Sequence, residues 1–182
     1  GSFSAGATSI TSNVGLVKSL SFPRVLLPIS TVITQFMNLL PQLAILFVTI
    51  VAIQREVSFS WLAMIPIVAL MTLFSTGAAM IAARLTVHLR DLNMIIPFVT
   101  RIMFYVSGIF FSVEKVLGAY PVIFKIMQFN PIYDFVELAR GALVRGYTME
   151  TWEWLACTAW AVGVFVIGSL FFWKAEEEYG RD

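Results

Sequence analysis

The chain has 182 residues, of which 59% are hydrophobic and 13% charged, and its formal net charge is +1. Soluble domains are about 45–50% apolar and about 25% charged, so too few polar residues remain here to cover a soluble core, and the chain reads as an integral membrane protein. The near-neutral charge excludes a broad basic field for nucleic acid, while one cysteine, Cys157, and one histidine, His88, exclude an internal disulfide, a cysteine-based zinc site and a histidine cluster within the chain.

Residues 1–30 differ in character from the rest of the chain. Ser, Thr, Gly and Asn dominate as far as Gly15, and the N-terminus lacks the basic-then-apolar pattern of a cleavable signal. The segment reads as the frayed end of an earlier span and then a short amphipathic helix, Leu16–Arg24, broken at Pro23. Three long apolar runs come next, Thr31–Ile53, Trp61–Arg84 and Trp152–Trp173. Each has about 20 residues or more, enough to cross a hydrocarbon core of ~30 Å as a helix. A fourth run, Leu92–Phe111, is apolar except for Arg101 at its middle and is expected to be a span as well. The runs lack the period-2 alternation of barrel strands, so the expected fold is all-α and polytopic with about four spans.

Between the fourth run and the last span, Tyr120–Phe129 suits a short helix. Asn130-Pro131 then supplies an N-cap and a proline at the first helical position. Asp134 and Glu137 come early and Arg140 and Arg145 late, an order that suits the helix dipole, and Gly146 closes a helix expected from Pro131 to about Arg145. Lys18, Arg24, Arg84 and Arg90 against a lone Arg55 in the 54–60 loop place residues 18–28, the 84–91 loop and the tail at 174–182 in the cytoplasm.

Several constellations carry two readings each. Thr31, Gln35, Asn38 and Gln42 share one helical face. Amides in lipid need partners, so this face either hydrogen-bonds to other helices or forms the polar wall of a conduit for a hydroxyl-rich substrate. Thr72, Thr76, Ala79 and Ala83 form a small-residue stripe suited to close helix packing. Arg101, Tyr105, Gly108 and Ser112 share a face that should point at protein or at an aqueous path. Arg101 either contacts a phosphate or acidic sugar, or bonds to a carbonyl or amide of a neighbouring helix. The aromatic residues from Phe104 to Phe135 serve as interfacial anchors or as stacking surfaces for sugars at a pore mouth.

No P-loop, no nucleophile-elbow motif, no His-Glu-x-x-His and no mid-span carboxylate occurs in the chain. An enzyme with its own catalytic machinery and a proton-coupled carrier both lose support.

Four local patterns stand in order along the chain. They are Asn13-Val-Gly-Leu-Val-Lys-Ser-Leu-Ser-Phe-Pro-Arg-Val-Leu-Leu-Pro28, His88-Leu-Arg-Asp-Leu92, Phe104-Tyr-Val-Ser-Gly-Ile-Phe-Phe111 and Asn130-Pro-Ile-Tyr-Asp-Phe-Val-Glu-Leu-Ala-Arg140. Together they resemble the membrane (permease) subunits of type-2 ABC exporters, in particular the bacterial branch that exports polysaccharide, teichoic acid or O-antigen. Such permeases have six spans after an amphipathic N-terminal helix, and the chain resembles their last two-thirds. It departs from the pattern at Gly108, where many relatives have Pro, and at Arg101, where relatives often carry a neutral amide.

The resemblance implies a permease without its own ATPase, working as a homodimer with a separate ABC ATPase that binds ATP and magnesium. It would move a lipid-linked cell-wall or surface polysaccharide across the bacterial cytoplasmic membrane, with no nucleic acid, metal or cofactor in this chain. It implies that Leu16, Lys18, Phe22, Pro23 and Arg24 couple to the ATPase, and that Arg90 and Asp91 mark the cytoplasmic end of a span. Gln35, Asn38, Gln42, Arg101, Tyr105 and Phe111 are the candidates for the substrate path. Residues 113–146 would form outer gate helices, with Asn130, Pro131, Tyr133 and Arg140 in the gate. The same family with a drug or small lipid as cargo, and an intramembrane enzyme acting on a polyprenyl phosphate, are the alternatives.

Overall fold

The computed structural model describes residues 2–11, 25–54, 58–89, 91–109 and 127–179. Among these residues the chain is helical and has no strand. In order come α1 (Ser2–Thr11), α2 (Leu26–Gln54), a 3-10 turn (Phe59–Ala63), α3 (Met64–His88), α4 (Leu92–Val106), α5 (Pro131–Leu143) and α6 (Thr151–Tyr179). Three stretches are long and apolar enough to cross a membrane: Leu26–Gln54, Phe59–Val87 and Thr151–Lys174. The shortest has 24 residues and so reaches about 36 Å, past a hydrocarbon core of ~30 Å.

Element boundaries depart from the sequence reading in four places. Residues 2–11 are not frayed: α1 is regular, with Ala7 and Ser9 buried and the Ser9 hydroxyl donating to the Gly6 carbonyl at 2.7 Å. Helix α2 starts at Leu26 rather than Thr31, because Pro28 falls in the first turn, where its missing N–H costs no helical bond. The run expected to span at 92–111 is the short helix α4, whose 15 residues cover about 22 Å. It stops at Val106 because the Ser107 hydroxyl turns back onto the Phe104 carbonyl at 2.7 Å and Gly108 takes φ 68°, the left-handed conformation that ends helices. Helix α6 continues to Tyr179, through residues expected to be a tail. Lys, Ala and Glu are good helix formers, and no Gly or Pro intervenes before Gly180.

The chain divides into two compact units. The first comprises the described parts of 1–42, 72–100 and 161–182. Small residues hold it together. Ala7, Ala82 and Ile96 cluster, with Leu92 against them, and the buried Thr86 hydroxyl donates to the Ala7 carbonyl at 2.6 Å. Ala79 and Ala83 of the small-residue stripe are fully buried, and the Thr76 hydroxyl is satisfied by the Thr72 carbonyl at 2.8 Å. Met80, Ala83 and Phe172 form a second cluster, closed by Val25 and Ile29. Arg84 lies over the Phe171 ring, 3.9 Å from its centroid, and donates to the Phe171 carbonyl. A cation at the end of an apolar run is thereby neutralised against a π face and a main-chain oxygen.

The second unit comprises the described parts of 43–71 and 101–160. Ser58 caps the 3-10 turn, its side chain accepting from the Ser60 N–H, and Phe47 packs on Trp61 with ring centroids 5.2 Å apart. Helix α5 packs on this turn. The Gln54 amide adds a hydrogen bond to the Leu143 carbonyl at 3.3 Å.

Candidate functional site

In the second unit the chemistry gathers around α5. The Asn130 side chain accepts from the Ile132 N–H at 3.1 Å and Pro131 takes the first turn, so the helix start is fixed locally. The helix buries Tyr133, Asp134, Phe135, Leu138 and Gly141 through Leu143. Arg140 leaves this face to join three acceptors. Its Nη1 donates to Glu137 Oε1 at 2.5 Å, and its Nη2 donates to the Gly108 and Ile109 carbonyls at 2.7 and 3.0 Å. Those carbonyls lie just beyond the end of α4, where main-chain oxygens lack helical donors and the dipole favours a cation. Gly108 is therefore part of the Arg140 contact. Its positive φ turns the chain at the point where the guanidinium reaches it.

Asp134 is the residue that the sequence undervalued. Its place early in α5 suits the helix dipole, but the side chain is 1% exposed and neither carboxylate oxygen has a partner among the described residues. Burial, and secondarily the nearby Glu153, push its pKa from 3.8 up to about 7. Between about pH 4 and pH 7 the folded state thus keeps a proton that the unfolded chain has released. Stability falls as pH rises through that window, and the unpaired charge is borne in full above it. Asp134→Asn is expected to flatten this dependence. At pH 8 the variant should melt at higher temperature than the parent, and at pH 4 at nearly the same temperature, when thermal unfolding is followed by tryptophan fluorescence.

The other candidates are spread over the two units. On α2, Gln35 is half-buried while Asn38 and Gln42 are exposed, and the Thr31 hydroxyl is taken by the Pro28 carbonyl at 2.7 Å. Pro41, inside this helix, leaves the Met37 carbonyl without a helical donor on the next turn. Asp91 is exposed at the start of α4. Arg101 is exposed as well and has no hydrogen-bond or ion-pair partner among the described residues. The expected alternatives for its face are protein or an aqueous path, and within this chain Arg101 and Tyr105 are exposed. Residues 101–106 are exposed all round the helix, and Tyr105 has the edge of Phe104 against it at 5.8 Å. Leu16, Lys18, Phe22, Pro23, Arg24, Arg90 and Phe111 lie outside the described residues, as do 113–126 of the expected gate.

Sequence reasoning also missed Glu137 as the partner of Arg140, and Arg84 as a packing residue rather than a loop cation. The i,i+3 spacing of Glu137 and Arg140 is the signal that was available for the first.

Helices of this length and apolarity, together with a short helix whose start is capped by Asn130 and Pro131, define a multi-pass helical membrane protein. The sequence pattern of the ABC-2 type transporter family matches residues 2–144, and the chain belongs to that family. It is similar to two proteins of Klebsiella pneumoniae, each described as an O-antigen export system permease protein RfbA. They are 26% and 25% identical to it over 149 residues, which cover 79% of this chain and 56% of each relative. The chain thus spans about half the length of the curated relatives it matches.

Proposed function

We propose that the chain is part of a permease subunit of an ATP-driven exporter that moves a lipid-linked surface polysaccharide across the bacterial cytoplasmic membrane. The observation that carries this reading is the family match together with two relatives named for O-antigen export. The exposed polar groups of the chain support it. Only 6% of the most apolar stretch of α2 is buried within the chain, yet Asn38 and Gln42 stand on that surface. Amides facing hydrocarbon with no partner cost several kcal/mol on the order of a lost backbone bond. A second copy of the chain and a water-filled path between the copies would supply what lipid does not. Arg101 makes the same demand more strongly, since a mid-helix guanidinium in lipid is costly.

In this reading ATP and magnesium bind a separate ABC ATPase, and Leu16, Lys18, Phe22, Pro23 and Arg24 dock on it. Arg90 and Asp91 mark the cytoplasmic start of α4, and α5 belongs to an outer gate. The expected result is that the full-length protein, purified in mild detergent, brings down a P-loop ATPase. Phe22→Asp should abolish that association while membrane insertion stays intact. A protein that purifies alone, or a Phe22→Asp variant that keeps its ATPase, would overturn the coupling assignment. Deletion that removes export of a drug or small lipid and leaves surface polysaccharide unchanged would replace the cargo.

A further inference from the structure

A cavity of about 260 Å³ opens in the second unit, where the end of α5 meets the 3-10 turn. The sequence reading gave it no role. Gln54, Ser58, Ser60, Trp61, Arg145 and Tyr147 line it, together with the last turn of α5. Its volume lies just below the range of about 300–1,000 Å³ typical of drug-sized ligands, so it suits one small ring rather than an extended molecule.

The lining chemistry narrows the occupant. Trp61 and Tyr147 offer flat apolar faces with a polar edge. Trp61 is held in place by Phe47. The Gln54 amide spends one N–H on the Leu143 carbonyl, which fixes the plane of the group and leaves a second donor and the carbonyl oxygen. The Ser58 and Ser60 hydroxyls sit 2.8 Å apart and can each donate or accept. Among the described residues the lining has no carboxylate, so it suits neither a metal ion nor an amine. The carbonyl end of α5 disfavours an anion, and the Arg145 charge offsets that end. The remaining match is a neutral ring with an apolar face and a rim of hydroxyls that both donate and accept.

We propose that this cavity binds one neutral pyranose unit of a saccharide chain, stacked on Trp61 or Tyr147 and hydrogen-bonded to Gln54, Ser58, Ser60 and Arg145. The assignment rests on the saccharide-export reading and deepens it. In that topology the cavity faces outward, where a polymer emerges.

The test uses the full-length protein with its ATPase in phosphatidylcholine nanodiscs, free of sugar-based detergent. The probes are the methyl glycosides of mannose, galactose and N-acetylglucosamine, read by saturation-transfer NMR. At least one glycoside is expected to bind, with Tyr147→Ala and Gln54→Ala each weakening it about fivefold or more. Tyr147 lies in an exposed loop, so its variant keeps the test valid if Trp61→Ala fails to fold. No signal for any glycoside, or a signal unchanged in both variants, would overturn the proposal. Binding seen only with galactosyl diacylglycerol built into the nanodisc would also overturn it, because the occupant would then be a lipid headgroup. Loss of surface polysaccharide on deletion of the protein is scored separately. If that loss occurs without glycoside binding, the cavity assignment fails while the export reading stands. If binding occurs without that loss, the export reading fails and the cavity remains a sugar site.

Discussion

Arg140→Ala is expected to release the turn after α4 from α5 and to lower both thermal stability and transport. The guanidinium satisfies the Gly108 and Ile109 carbonyls and the Glu137 carboxylate at 2.5–3.0 Å. The Arg140 and Glu137 side chains are only 20% and 15% exposed, so water replaces these bonds poorly. A hydrogen bond to a charged group contributes about 1.5–3 kcal/mol, and stranding the partners costs more than never having had them. A loss of about 3 kcal/mol is therefore expected for the alanine variant. Arg140→Lys should recover part of it, because a single ammonium cannot fork between two carbonyls and a carboxylate. Adding Glu137→Gln to Arg140→Ala separates the contributions. If the ion pair matters, the double variant loses less than the sum of the two single variants. Proteolysis near residues 107–109, faster in Arg140→Ala than in the parent, would locate the loss at the turn. Equal cleavage rates would show that the turn holds without the guanidinium.

What the sequence disclosed depends on the physics of each element. Runs of about 20 apolar residues announce themselves by length alone, so the cores of α2, α3 and α6 were legible. The Asn130-Pro131 start of α5 was legible because capping is local chemistry, settled by three or four residues. The end of α4 was not, because Ile109-Phe110-Phe111 continues the apolar run and hydropathy outweighed the Ser107-Gly108 stop. The glycine rule for helix ends gave the competing signal. Helix α1 reads in sequence as a frayed span end because its Ser, Thr and Gly content is polar, whereas in contact with Ala82 and Thr86 those small residues permit close approach. The burial of Asp134 depends on what α5 packs against, and no periodicity within α5 specifies that. The exposure of Arg101 belongs to the same class, since a polar face in one chain is defined by partners outside it.

The contact between α3 and α6 gives the other large effect. At Gly77 and Gly168 two backbones meet with nothing between them. A β-carbon on Gly168 would come within 2.9 Å of the Gly77 α-carbon and overlap its carbonyl oxygen, and one on Gly77 would lie 2.5 Å from the Phe165 α-carbon. None of these atoms is the far end of a flexible side chain, so the helices themselves must separate. In lipid no hydrophobic force draws two helices together, and close packing of small residues is what holds them. Gly168→Leu is therefore expected to pry α3 from α6, with failure to accumulate in the membrane or a melting temperature lower by about 10 °C or more. The chain supplies its own control five residues earlier. Gly163 lies on the same helix, and a β-carbon there would meet nothing within 4 Å. Gly163→Leu adds the same side chain to the same helix and relieves a helix-propensity penalty of about 1 kcal/mol, so it should leave stability unchanged or raise it. Equal damage from the two variants would mean that added bulk on α6 is harmful wherever it falls, and the close approach at Gly77 would lose its place as the contact that joins these helices.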